Sequence, residues 1–487
     1  MSCTFWRAAA SFVPATIRWP SNWRRTVTNR SSPLPVPEAI AVAQSTVRDE
    51  PRDQTAASRP WQVAAEQLSN TASGLDWLTE RRTAALVRAD CLGLPDQSQE
   101  EWRYTSLTPF ARRWLDHLAG ARLPAVPEPV PPTLAGVFSV DIVDGRLCAP
   151  LLATPPGLTI QSLQNLGAEW RTRVEALLGS VVSPTDTSAS DSLVDLNTAL
   201  LTDVVLVTTE PGASVAMPIH IRLQATAASA LCQTRLLVDL AAGSRLTLSL
   251  EFTGTAAVLV NAVSQMCLGR DSELNLVRVQ ALPDDGMLLE STSIEAKDSA
   301  AVTVTSVDLG GQLSRQSLTV RLAGTGASAT VHGLFLADGQ RHIDNRTRLQ
   351  HEAPSTTSRE FFRGIAADRG HGVFSGKIIV QPGAAGSNAA LTNRNLLLTT
   401  TAEIDTKPEL EIYVDDVRCS HGATTGQLDA NALFYLQSRG LDLSTARQVL
   451  TAAFLRDSLT GIPLPELRER LEARLESRLQ AQSGAAR

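Results

Sequence analysis

The chain has 487 residues, of which 43% are hydrophobic and 19% charged, and its formal net charge is −6 at pH 7. This is a globular composition with ample length to bury a core, and without a strongly basic domain it offers no footprint for nucleic acid. No apolar run reaches the ~18 residues that a membrane-spanning helix needs, so no membrane partner is expected either.

In chain order, residues 1–58 read as a tail. Arg7, Arg18, Arg24, Arg25 and Arg30 all precede the first acidic residue, Glu38, and Pro33, Pro35 and Pro37 follow in quick succession. An arginine-rich, acid-poor start fits an organelle transit peptide, which would place the protein in a plastid stroma. It fits equally the disordered tail of a cytoplasmic protein. Residues 59–199 read as mainly helical: apolar residues recur at three- and four-residue spacing from Trp61 to Leu92, until Gly93 and Pro95 stop them. Further helical pieces cover Leu107–Leu118 and Leu163–Leu178, with a proline-rich connection at Pro124–Pro132.

The character changes near Leu200. Residues 200–425 form a procession of short runs rich in Val, Leu, Ile and Thr. They include Val204–Thr209, His220–Leu223, Arg235–Leu240, Arg245–Leu250, Glu273–Val279, Val302–Val307, Ser317–Leu322 and Leu410–Val414. Turn signals such as Gly310-Gly311 and Asp338-Gly339 punctuate them. No long helical pattern intervenes, which excludes a doubly wound fold and leaves a sandwich, a barrel or a β-helix. Periodicity alone does not choose among these three. In residues 426–487 helices return at Ala432–Leu436, at Leu443–Leu455 (capped by Asp442 or Ser444) and from Pro465 onward. Leu467, Leu471, Leu475 and Leu479 make a narrow stripe, suited to packing on a neighbouring helix or to docking a partner.

The six cysteines, Cys3, Cys91, Cys148, Cys232, Cys267 and Cys419, are scattered without a CxxC pair. Reduced thiols in a cytosol-like compartment fit this pattern better than a disulfide framework. The chemistry concentrates in Tyr413–Ala423. On an extended segment Cys419 and His421 project to the same side, and Asp415 shares their parity. Thiolate and imidazole together suit iron or zinc. Two ligands are too few for a closed site, so any remaining ligands must come from another subunit. Plain structural burial is the competing reading. A Cys–His nucleophilic dyad is poor, because neighbours two apart on a strand lie side by side rather than tip to tip. His332, His342 and His351 read as ordinary strand or turn residues, and His371 as part of a turn. Aromatic residues are only 5%, too few for the sugar platforms of a β-helical carbohydrate enzyme. No GxxxxGK[ST] loop is present, so no nucleotide is expected to bind this chain.

The run Asp405–Ala423, continued by Phe434–Gly440, resembles the shared signature of the SufB/SufD family of iron–sulfur cluster assembly proteins. Asp344–His351, Gly372–Gly376 and Thr392–Leu398 are also similar to it, while Gly383–Asn388 departs from its usual pattern. Glu101–Thr105 resembles the amino-terminal motif usual on the SufD side. The resemblance implies a mainly β protein with a right-handed parallel β-helix core flanked by amino- and carboxy-terminal helices. It further implies a non-enzymatic scaffold that pairs with a SufB-like subunit, docks a SufC-like ATPase through its last helices, and holds iron or a transient iron–sulfur cluster at the interface. Cys419 and His421 match the Cys-x-His motif there, with Asp415 a further candidate, and Phe434, Tyr435 and Arg439 are candidates for partner contact. A second copy of this chain is the alternative partner.

Overall fold

The computed structural model describes residues 61–62, 64–66, 76–118, 134–148, 151, 153–163, 166–180, 191–226, 232–255 and 257–485. The expected tail at 1–58 and the proline-rich connection lie outside these residues.

Two parallel stacks of strands form the core. The first sheet takes Ile219–Ala225, Arg245–Gly254, Glu273–Gln280, Ala301–Asp308, Ser328–Ala337, Thr357–Ala366, Ser387–Leu397 and Val417–Gly426 in that order. The second takes Val205–Thr209, Cys232–Leu240, Leu259–Leu268, Met287–Ala296, Leu313–Leu322, His342–His351, His371–Val380 and Glu403–Ile412. The chain alternates between the sheets, so each turn adds one strand to each. This coiling selects the parallel β-helix from the three architectures that strand composition allowed. Pairing is in register from turn to turn, as in His342↔His371↔Glu403. Corners between strands take residues in the left-handed region, among them Asp271, Ser299, Ser355 and Asp368 at φ of 55°, 54°, 58° and 55°. These short polar residues tolerate that conformation better than branched ones.

Because parity is kept, one set of alternate residues always points inward. Leu276, Val304, Val331 and Leu349 belong to the interior cluster, as do Phe335, Phe362 and Phe374. The Phe362 and Phe374 rings lie 4.6 Å apart. Room for Phe362 comes from Gly333 on the preceding turn, where a Cβ would stand 1.9 Å from the ring. Arg278 lies inside this stack too, held by Glu290 at 2.7 Å and Asp308 at 2.6 Å.

The outer faces are covered by helices on opposite sides. Trp102, Phe110, Leu193 and Leu196 pack on Leu259, Met287, Leu289 and Leu313 of the second sheet. The helix Pro465–Ala485 lies on the first sheet, with Leu467, Leu471, Leu475 and Leu479 buried against Val277, Val279, Leu334 and Leu336. That leucine stripe is therefore internal packing against the solenoid and presents no docking face. Asp442, not Ser444, caps Leu443–Leu459, its side chain accepting from the Thr445 amide at 2.9 Å.

Three strands precede residue 200, in a stretch read from the sequence as mainly helical. Phe138–Val143 pairs in parallel with Ile219–Ala225 and antiparallel with Arg146–Leu147, and Leu158–Ser162 pairs antiparallel with Val205–Thr209. They are isolated pieces between proline- and glycine-containing loops, in a stretch otherwise dominated by helical spacing. The helix Asp191–Ala199 also went unread.

His351 is wholly inside the solenoid, its Nδ1 and Nε2 each 2.8 Å from the hydroxyls of Thr356 and Ser358. Burial pushes its pKa down to about 4, from an ordinary 6.5. The folded chain thus keeps this ring neutral where the unfolded chain protonates it. Its contribution to stability is full above about pH 6.5 and is lost as pH falls toward about 4. His351→Gln is expected to flatten the pH dependence of the denaturation midpoint within that window. Identical slopes for variant and wild type would refute the linkage.

Candidate metal-ligand face at the end of the solenoid

The last turn differs from every other because no turn follows it. Glu403–Ile412 and Val417–Gly426 each hydrogen-bond to a neighbouring strand on one side only. Val417–Gly426 pairs with Ser387–Leu397 so that Cys419 stands beside Ala389 and His421 beside Leu391. Ala389 and Leu391 belong to the interior cluster. Cys419 and His421 therefore have inward parity, and on an earlier turn they would be core. Here Cys419 is half-buried and His421 exposed. Across the end face the second sheet continues Phe374, Gly376, Ile378 and Val380 into Thr406, Pro408, Leu410 and Ile412. The end of the hydrophobic interior is thus open, and it carries a thiol and an imidazole.

Burial raises the Cys419 pKa, against a smaller lowering by its backbone contact with Ala389. At neutral pH the group is a thiol and not a reactive thiolate; a bound metal would have to drive ionisation. Asp415 sits in the corner joining the two last strands, exposed, with its carbonyl accepting from the Val417 amide at 3.0 Å. The extended segment expected from Tyr413 to Ala423 is broken there, so parity does not align Asp415 with Cys419. Of the other described cysteines, Cys148, Cys232 and Cys267 are buried and Cys91 is exposed.

Beyond the last strand, the helix Ala430–Ser438 buries none of its residues. Phe434 is 73% and Tyr435 57% exposed, and the Arg439 guanidinium lies 5.1 Å from the Tyr435 ring centre. Leu443 and Val449 on the following helix are also exposed.

Glu101–Thr105 is a latch on the outer face of the second sheet. The Trp102 indole is buried under the Arg315 guanidinium, 3.6 Å from the ring centre. Arg315 pairs with Asp344, which also accepts from the Thr105 hydroxyl. Burial of Asp344 works against its ionisation, yet Arg315 and Arg346 hold its carboxyl below the usual range. Glu101 reaches Arg348 at 2.9 Å, and Glu100 pairs with Lys407 on the last turn. The motif Asp344–His351 thus turns Asp344 and Arg348 outward to the latch and His351 inward.

Sequence reasoning missed one cluster. His371, Glu403 and Asp405 bring ligand atoms within 4.8 Å of one another. His371 opens a strand instead of lying in a turn, and parallel pairing with the next turn of the same sheet brings Glu403 and Asp405 to it. Asp405 falls within the family signature, but nothing in the linear sequence ties it to a histidine 34 positions earlier.

A parallel β-solenoid with its last turn uncapped and an incomplete set of soft ligands on that turn is the class of protein defined so far. Residues 222–454 match the SufBD core domain of the SUF system for FeS cluster assembly. The chain is 29% identical over 436 residues to an iron–sulfur cluster assembly SufBD family protein of Synechocystis, covering 86% of this chain and 95% of that one. It is 28% identical over 395 residues to the iron–sulfur cluster assembly protein SufD of Escherichia coli, covering 80% and 90%. A chloroplastic protein of Arabidopsis thaliana, ABCI7, is 25% identical over 326 residues, covering 65% and 67%. Residues 222–454 thus carry a SufBD core domain, and over most of its length the chain is similar to SufBD family proteins, SufD among them.

Half-buried and held as a thiol, Cys419 is expected to react with iodoacetamide several-fold more slowly than glutathione at pH 7.5, and to accelerate as pH rises. Peptide mapping of the alkylated chain reads this rate. Reaction as fast as glutathione would contradict the burial described.

Proposed function

We propose that this chain is a scaffold and not an enzyme: the SufD-type subunit of a complex with a SufB-like subunit and a SufC-like ATPase. It contributes one side of a site for iron or a nascent iron–sulfur cluster through Cys419 and His421. The observation that carries this reading is the open last turn of the solenoid. Both sheet edges there are unpaired, and exposed edges of this length favour pairing with another chain. The ligands at that end are two where a cluster needs four. A partner whose own solenoid end meets this one would cover the edges and supply the missing donors together.

Phe434, Tyr435 and Arg439 are the proposed contact for the ATPase, since the two aromatics are exposed on a helix that buries none of its residues and Arg439 stands at its end. The nucleotide would belong to that partner. A second reading draws on the same open end: two copies of this chain would pool two Cys-x-His pairs into a four-ligand site. Six scattered cysteines without a CxxC pair favour a reducing compartment, with the cytoplasm proposed and a plastid stroma the alternative. Among the described residues no helix is long and apolar enough to cross a membrane.

Co-expression with SufB and SufC from the same source tests this directly. A tagged pull-down is expected to recover all three chains at fixed stoichiometry. Cys419→Ala with His421→Ala should keep the complex but lower bound iron and sulfide at least tenfold, while Phe434→Ala with Tyr435→Ala should release the ATPase alone. Recovery of this chain only as a dimer with itself would replace the heteromeric reading by the self-paired one. Full iron and sulfide in the Cys419/His421 variant would sink the ligand assignment.

A further inference from the structure

On the outer face of the second sheet, away from the inward parity of Cys419 and His421, the last two turns bring together His371, Glu403 and Asp405. Strand pairing sets His371 directly beside Glu403 and diagonal to Asp405, which is paired with Val373. The His371 Nε2 lies 2.8 Å from the Asp405 Oδ2, and one ligand atom from each of the three residues falls within 4.8 Å of the others. His371 and Asp405 side chains are 24% and 26% exposed, so an ion and its waters can enter a partly dehydrated setting.

A simple His–Asp ion pair accounts for two of these groups but not the third. With Glu403 added, two carboxylates flank one imidazole, leaving net negative charge whichever protonation state the ring adopts. The nearest lysine on this strand is already committed, with Lys407 paired to Glu100 and to Glu409 at 3.0 Å. On the other side His342 packs edge-on to His371 at 4.6 Å between ring centres. The His342 Nε2 is engaged by the Thr105 hydroxyl at 2.8 Å, which makes it a buttress for the His371 ring rather than a fourth ligand. Outer groups of this kind fix ligand orientation at metal centres.

We propose that His371, Glu403 and Asp405 form a binding site for a labile first-row divalent cation of the iron(II) type. One imidazole and two carboxylates suit iron(II), manganese(II), cobalt(II) or zinc, and not a soft ion such as copper(I). Three protein donors leave positions for water, so the ion exchanges rather than remaining as a structural centre. The site uses neither Cys419 nor His421 and does not depend on the scaffold reading above.

The test is anaerobic titration of the full-length chain with cobalt(II), followed by its visible ligand-field bands, and with iron(II) in competition with a chromogenic chelator. The Cys419→Ala, His421→Ala double variant is expected to keep one cobalt(II) site. His371→Ala and Glu403→Gln should each weaken that site at least tenfold; Glu403 is exposed, so its variant reports binding without a change in packing. Equal affinity in wild type, His371→Ala and Glu403→Gln would overturn the proposal. So would loss of all cobalt(II) binding in the Cys419/His421 variant.

Discussion

In-register parallel pairing between successive turns is the constraint on which the rest of this structure depends. Side chains alternate faces along a strand, so a slip of one residue would send the interior set to the surface and the surface set inward. With register kept, Leu276, Val304, Val331 and Phe362 stack inside, while Leu289, Leu313, Leu334 and Leu336 face outward to receive helices. The same rule places Cys419 and His421, whose inward parity is inherited from Ala389 and Leu391. Their exposure has a single cause: the ladder ends at their strand.

Covering the two outer faces decides which surfaces stay available. The amino-terminal latch holds the second sheet through Trp102 beneath Arg315, a cation–π contact stronger out of water than in it. The carboxy-terminal helix holds the first sheet through its leucines, with Arg470 on Glu251 and Arg478 on Asp338 at its margins. Between them they close the flanks of the solenoid. The open last turn and the exposed aromatic face of Ala430–Ser438 lie beyond both.

The last two turns also separate two kinds of donor by parity. Inward positions carry sulfur and imidazole at the edge of an apolar interior, where burial keeps the Cys419 thiol protonated. Outward positions carry an imidazole and two carboxylates, the carboxylates on a strand that also holds the Lys407–Glu409 ion pair. Sulfur and oxygen donors differ in the metals they prefer and in how tightly they hold them. The last two turns therefore present two chemically distinct donor sets, one inward on the first sheet and one outward on the second.

The sequence by itself determined a great deal. Runs such as Arg245–Leu250, with turn residues between them, were legible as strands because alternation and turn chemistry are local. The leucine stripe of the last helix and the Cys-x-His pair were legible for the same reason, as was the family signature around them. Local pattern could not say that successive strands coil into a solenoid, since a sandwich or barrel uses the same alternation. It did not single out the short strands at Phe138–Val143 and Leu158–Ser162, which lie among helices and pair with strands far along the chain. Only the tertiary structure put the leucine stripe on the first sheet, moved Asp415 into a corner, and brought His371 to Asp405 across 34 residues. Each of these depends on pairing between turns, and pairing is a relation between distant segments that no single segment encodes.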